Sequence, residues 1–249
     1  MAFSGGWDSV YICWHLLRNT DDEVHCFHVN MSTVEYADPH VRHGHYAQIY
    51  EAERLTVPAI ISWLSKNVRE ITYEEVKIDA IKQSEWMNPV VIKTGAEFPG
   101  DYDRFIYGSC PEHRGTQGRI EHWRKIWEAY APKTRALEFL LQDLGQCQPH
   151  AMVEFPQELR DLVNNCLFPT VEDGKPKHCG RCFKCVTNGW ILKRLSKGAT
   201  PDDVLAELKR ARRKDAKLSQ AAPQSLKLEL DEKPKDDKPK RVANNPVQG

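Results

Sequence analysis

No apolar run in this chain approaches the roughly 18 residues that a membrane-spanning helix needs. The opening residues, MAFSGGWDS, carry neither a charged leader nor a long apolar stretch. A transmembrane helix is therefore not expected, and neither is a secretory signal. Excess charge of one sign is missing as well, because 35 basic and 35 acidic side chains cancel. The chain thus lacks the dominant positive field of a protein built to grip nucleic acid, and no direct nucleic-acid partner is expected. There is no internal repeat, and no Gly-Lys-Ser/Thr sequence closes a Walker-type phosphate loop. These absences point to a cytoplasmic protein. In that compartment cysteines ligate metals or pack in cores more often than they form disulfides.

What is present suits a globular enzyme. With 41% hydrophobic and 28% charged residues over 249 positions, the chain can bury the core of one α/β domain with a small appendage. The front reads as β-loop-α-β. Met1 to Phe3 is the end of a strand, short because only three residues precede Ser4, so the strand either is brief or begins upstream. Ser9 to Arg18 has helical apolar spacing, and His25 to Asn30 (HCFHVN) reads as the next strand. A long amphipathic helix is predicted from His45 to Asn67, with a break invited at Pro58. A further strand is predicted at Arg104 to Tyr107, and a helical pattern over 119–144 with Pro132 as a break. Alternation of this kind implies a mostly parallel sheet with helices on both faces.

The C-terminal boundary follows from composition. Residues 201–213 (PDDVLAELKRARR) have proline and two aspartates in the first turn and basic residues later, as a helix dipole prefers. From Lys214 onward charged and polar residues dominate, so 214–249 is expected to be a disordered tail. The resulting division is 1–150 as the nucleotide-binding α/β domain, 151–213 as a helical metal-binding lobe, and 214–249 as tail.

Two motifs carry chemistry. The first is Ser4-Gly5-Gly6-Trp7-Asp8-Ser9. Adjacent glycines allow positive φ and close approach of the backbone to a ligand. The helix that follows aims free N–H groups and its positive end at that ligand. Ser4 and Ser9 add hydroxyl donors, and Asp8 is a candidate Mg²⁺ partner. The second is Cys166-x12-Cys179-x2-Cys182-x2-Cys185, with residues 178–185 reading HCGRCFKC. Four soft ligands suit tetrahedral zinc, and C-x2-C turns present two thiolates at the right separation. Four thiolates also suit an iron–sulfur cluster, and cysteines spaced by three could be a stripe on one helix face. Cys13 and Cys26 sit in apolar runs and read as core. Cys110 follows a predicted strand end, which makes it a better candidate than the other scattered cysteines to face the expected site.

The SGGxDS loop resembles that of the PP-loop family, the N-type ATP pyrophosphatases. That resemblance implies an adenine nucleotide alpha hydrolase-like fold. It implies that ATP adenylates a substrate oxygen, that pyrophosphate leaves, and that a nucleophile then displaces AMP. The loop together with the Cys…CGxCxxC cluster resembles the 7-cyano-7-deazaguanine synthases over roughly residues 1–200, with the two ends matching closely. Carried over by position, Ser4, Gly5, Gly6, Trp7, Asp8 and Ser9 hold ATP and Mg²⁺, with Asp8 and Ser9 nearest the chemistry. Cys166, Cys179, Cys182 and Cys185 hold zinc in a small C-terminal lobe. The implied activity is a ligase of queuosine biosynthesis that amidates 7-carboxy-7-deazaguanine with ammonia and converts it to the nitrile. A tRNA-thiolating PP-loop enzyme and a nucleotide-binding relative without this activity are the alternatives, and a homodimer is left open.

The middle departs from the family pattern. Arg42-His43-Gly44-His45-Tyr46-Ala47-Gln48 stands near a Tyr-Gly-Gln-x-His-x-x-Glu segment, and YGSCPEHRG (107–115) stands near a Tyr-Pro-Asp-Cys segment. Asn188 occupies a usual arginine position. Following predicted strands, His40, Arg42, His43 and His45, and likewise His113 and Arg114, are secondary candidates for substrate or phosphate contact, because open α/β sheets bind ligands beyond the carboxyl ends of their strands.

Overall fold

The structure is a computed structural model that describes residues 1–30, 44–78, 87–109 and 116–221, with the side chains of 44–47, 87, 116–117 and 212–221 outside the description. In chain order the elements are α1 (Trp7–Asn19), β1 (His25–Asn30), α2 (Gly44–Asn67), β2 (Thr72–Lys77), α3 (Met87–Glu97), β3 (Arg104–Ile106), α4 (Thr116–Tyr130), β4 (Ala136–Glu138), α5 (Leu140–Leu144), α6 (Gln148–Glu154), α7 (Gln157–Leu162), β5 (Thr170–Glu172), β6 (Lys175–Lys177), α8 (Phe183–Leu195) and α9 (Pro201–Ala221). The chain divides into two units, Met1–Lys209 and Arg210–Gly249. Among the described residues no helix is long and apolar enough to cross a membrane.

The described strands form small sheets in a mixed α/β chain. β1 runs parallel to β2, with His25 opposite Thr72 and Asn30 opposite Lys77, and β3 runs parallel to β4. Met1–Phe3 bonds to a strand of each pair. The Phe3 N–H donates to the Phe27 carbonyl (2.8 Å), the Phe27 N–H donates to the Met1 carbonyl (3.0 Å), and the Ala2 N–H donates to the Ile106 carbonyl (3.3 Å). Neighbouring side chains on these strands enter different apolar clusters, as a pleat requires. Cys26 and Ile106 join Val10, Ile12, Leu16, Ile60 and Leu64, whereas Phe27, Val29 and Phe105 join Ile92, Trp123 and Trp127.

Both clusters are dense. In the second, Phe105 stacks on Trp127 (5.2 Å, 5°) and on Phe27 (5.5 Å, 15°), and Phe27 stacks on Phe98 (4.9 Å, 11°). Such pairs add roughly 0.5–1.5 kcal/mol each beyond area burial. In the first, α1 is apolar around most of its circumference, so both its flanks are covered. It ends where Thr20 turns extended and returns its N–H to the Leu16 carbonyl.

Several elements differ from the sequence reading. α1 begins two residues earlier than predicted, at Trp7, and β3 ends at Ile106. α2 runs through Pro58 without a stop, with its apolar stripe of Val57, Ile60 and Leu64 fully buried, so tertiary packing outweighs the lost hydrogen bond. The helix predicted over 119–144 is two helices separated by β4, whose three residues are too few to show a period. Between Cys166 and Cys179 the sequence reading gave no element, and the structure has the antiparallel β5–β6 hairpin there. Its two turn residues, Asp173 (φ 52°) and Gly174 (φ 69°), are both left-handed, as an Asp-Gly hairpin turn requires. α9 extends to Ala221, past the predicted end at Arg213, because Lys214–Ala221 consists largely of good helix formers. The rest of the predicted tail, 222–249, lies outside the described residues.

Candidate functional site

The SGGWDS segment leaves β-like backbone at Phe3 and enters α1 through a single left-handed residue, Gly5 (φ 72°). A Cβ there would meet Val57 Cγ2 at 3.0 Å, so α2 presses on the turn from one side. The loop is cross-braced by its own serines. The Ser4 N–H donates to Ser9 Oγ (3.2 Å), the two Oγ atoms lie 3.2 Å apart, and Ser9 Oγ–H donates to the Gly6 carbonyl (3.1 Å). Gly6 caps α1 without a side-chain acceptor, which leaves the positive helix end facing outward from the turn.

That end opens into a cavity of about 310 Å³. Ser4, Asp8 and Ser9 line it on the loop side; His28 of β1, Glu53 of α2 and Lys184 of α8 line it opposite. Tyr107, just past β3, donates its hydroxyl to Asn88 Oδ1 (2.7 Å) on the same wall. His28 is buried, and its Nδ1 lies 3.0 Å from the Phe3 carbonyl. A carbonyl only accepts, so Nδ1 carries the proton and Nε2 presents its lone pair. Burial holds the His28 imidazole below its ordinary pKa, hence neutral. Nε2 points at Glu53 Oε2, 3.8 Å away. Burial pushes the Glu53 carboxyl up to about 8, against the opposing pull of the Lys184 ammonium.

The cysteines converge. Sγ atoms of Cys166, Cys179, Cys182 and Cys185 all lie within 4.8 Å of one another, with Cys166–Cys182 at 3.9 Å and Cys179–Cys185 at 4.0 Å. These separations match four sulfurs around one ion with metal–sulfur bonds of about 2.3 Å. Backbone amides donate to the sulfurs: Phe168 and Cys179 to Cys166 (3.4 and 3.2 Å), Cys182 to Cys179 (3.3 Å), and Cys185 to Cys182 (3.4 Å). Such bonds favour thiolate over thiol and orient the ligands. Gly180, left-handed at φ 70° with open space around it, makes the turn between the first two ligands of the CGRC segment. Cys182 then caps α8, so the cluster sets where that helix starts. The cluster can hold a metal such as zinc.

A second cavity, about 370 Å³, borders the cluster and is lined by Trp7, Arg160, Asp161, His178, Cys185 and Asn188, among others. Trp7, in the variable position of the loop motif, therefore turns away from the first cavity, and its ring stacks on Phe155 (5.8 Å, 20°). Asn188 accepts a hydrogen bond from the Gln148 amide. Cys13 and Cys26 are fully buried, with sulfurs 3.8 Å apart. His40, Arg42, His43, Cys110, His113 and Arg114 lie outside the described residues, as does the side chain of His45.

Sequence reasoning missed His28, Glu53 and Lys184. Signals existed for two of them. Glu53 shares a helical stripe with Val57, Ile60 and Leu64, where a carboxylate is out of place, and His28 interrupts an apolar strand. Lys184 is an ordinary surface lysine until the cysteine cluster fixes the first turn of α8.

The described residues thus define a mixed α/β protein with a glycine turn beside a cavity of mixed polar and apolar lining, and a cluster of four thiols. No family model, curated protein or solved structure matches the chain.

Proposed function

We propose that this chain is an ATP-dependent carbon–nitrogen ligase of the PP-loop type. The observation that carries the reading is the first cavity, where Ser4 and the first-turn residues Asp8 and Ser9 of α1 share a space of about 310 Å³ with Lys184. Amides at the start of α1, a serine hydroxyl and, among the described residues, the Lys184 cation form a receptor for a polyanion. No lysine follows the glycines, so the loop lacks the group that a Walker loop sets against the β- and γ-phosphates. It suits a departing pyrophosphate instead. On this reading Met1–Phe3 is the centre of a five-strand parallel order, β2-β1-Met1–Phe3-β3-β4, with helices on both faces. The cavity then lies beyond the carboxyl end of the central strand, where open α/β sheets bind ligands.

The residues divide the work. Gly5 and Gly6 let the backbone approach the phosphates. Ser4 donates to their oxygens, Ser9 braces the turn through its bond to the Gly6 carbonyl, and Asp8 would hold Mg²⁺, which supplies charge neutralisation when bound. Cys166, Cys179, Cys182 and Cys185 would hold zinc, which supplies a fixed tetrahedral anchor for the start of α8. The close-set sulfurs favour a single ion over a multi-iron cluster. A substrate carboxylate attacks the α-phosphorus, pyrophosphate leaves, and ammonia displaces AMP from the acyl adenylate. The substrate proposed is 7-carboxy-7-deazaguanine, and the product its amide and then its nitrile. A thiolation role needs an accessible reactive thiol, whereas Cys13, Cys26 and Cys147 are buried and the remaining described cysteines are gathered in the cluster. Incubation with ATP, ammonium and 7-carboxy-7-deazaguanine, with the base read by mass spectrometry, tests the assignment. Conversion to amide or nitrile is expected, and unchanged acid overturns it.

A further inference from the structure

Glu53 has no role in the phosphate chemistry just described, yet its carboxyl forms part of the same cavity wall. The side chain is 18% exposed, and that exposure is toward the cavity. Behind it stands the neutral His28, held by the Phe3 carbonyl at 3.0 Å and directing Nε2 at the Glu53 carboxyl from 3.8 Å. Among the described residues, the other titratable or charged groups facing the cavity are Asp8 from α1, Tyr50 from α2, Tyr107 after β3 and Lys184 from α8. Glu75 of β2 acts on His28. Desolvation pushes Tyr107 far above its ordinary range, so it stays neutral. A carboxyl in a half-closed cavity, flanked by a neutral imidazole and one ammonium, exchanges a proton near neutral pH, as a general base must.

We infer that Glu53 is the general base for the nucleophilic nitrogen, with His28 as the positioning residue behind it; this rests on the ligase reading above. Ammonia reaches the cavity largely as ammonium, which has no free electron pair. One N–H proton passes to the Glu53 carboxylate and frees the nitrogen lone pair. That pair forms the C–N bond at the acyl-adenylate carbonyl carbon. A second proton leaves the nitrogen for solvent. The carbon–oxygen bond to phosphate then breaks, and AMP departs with its electrons. Glu53 returns its proton to solvent for the next turnover.

The test separates the two half-reactions in wild type and E53Q, a variant of nearly equal shape that removes a buried ionisable group. Isotope exchange between pyrophosphate and ATP, dependent on 7-carboxy-7-deazaguanine, reads adenylation. Amide formation with ammonium reads the nitrogen step. Hydroxylamine, unprotonated on nitrogen at neutral pH, serves as a nucleophile that needs little base assistance. In E53Q the ammonium-dependent rate is expected to fall about 100-fold more than the exchange rate. Hydroxylamine is expected to recover most of that difference. Equal losses in exchange and amidation, or no selective loss with ammonium, overturn the role of Glu53. Absence of exchange in the wild type overturns the ligase reading itself, and this inference with it.

Discussion

Replacing Gly5 by alanine should destabilise the fold by about 2–4 kcal/mol. Two structural facts set that figure. Gly5 has φ 72°, where an L-residue with a Cβ costs roughly 1–2 kcal/mol. The new Cβ would also lie 3.0 Å from Cγ2 of the fully buried Val57, which would have to shift by a few tenths of an ångström. Overpacking of this kind costs roughly 1–3 kcal/mol. Against these, alanine restricts the unfolded chain and recovers about 0.4–1 kcal/mol. Urea unfolding should show a lower midpoint with an unchanged slope. A double-mutant cycle with V57A separates the terms. Removing the Val57 methyls should relieve the steric part and leave the backbone part, giving a coupling of about 1–2 kcal/mol. A G5A stability within about 0.5 kcal/mol of wild type would refute the left-handed, α2-pressed turn on which the proposed phosphate site depends.

Further outcomes follow from the sites. C182S should bind no metal and melt at a lower temperature than wild type, because Cys182 is both a member of the four-thiol cluster and the cap of α8; elemental analysis and calorimetry check this, and metal in the variant would contradict it. Chelating the metal should also weaken ATP binding in equilibrium dialysis, since Lys184 lies between Cys182 and Cys185 and its approach to the cavity depends on them. Glu53 makes stability pH-dependent with a defined sign. Its folded pKa of about 8 lies above an ordinary carboxylate value, so the folded state holds an extra proton between the two. Stability should therefore fall as pH rises from about 4.5 to about 8, by an order-of-magnitude 2–4 kcal/mol from this group. E53Q should flatten that slope in urea titrations across the range, and an unchanged slope would contradict the buried carboxyl.

The glycine turn and the thiol cluster were legible because each is local in sequence: Ser4 to Ser9 is contiguous, and three of four thiols fall within seven residues. The fourth, Cys166, was found only because spacing invited a complete ligand set. β1 was legible from its run of mostly buried residues, and α1 from the period of its apolar positions. β4 was not, because three residues cannot display a period, and the β5–β6 hairpin was overlooked although Asp173-Gly174 is a strong turn signal. Local pattern marks Glu53 and His28 as out of place in an apolar stripe and strand, but it does not bring them together with Lys184. His28, Glu53 and Lys184 come from β1, α2 and α8, and only the tertiary fold brings them to one cavity.

The most direct measurement of the central claim is the identity of the nucleotide products. The full chain is incubated with ATP, Mg²⁺, ammonium and 7-carboxy-7-deazaguanine, and the nucleotides are separated chromatographically. The loop without a lysine and the open helix end predict AMP and pyrophosphate, formed only when the carboxylate is present and lost in D8A. ADP and inorganic phosphate as the dominant products would contradict adenylation, as would carboxylate-independent turnover unchanged in D8A.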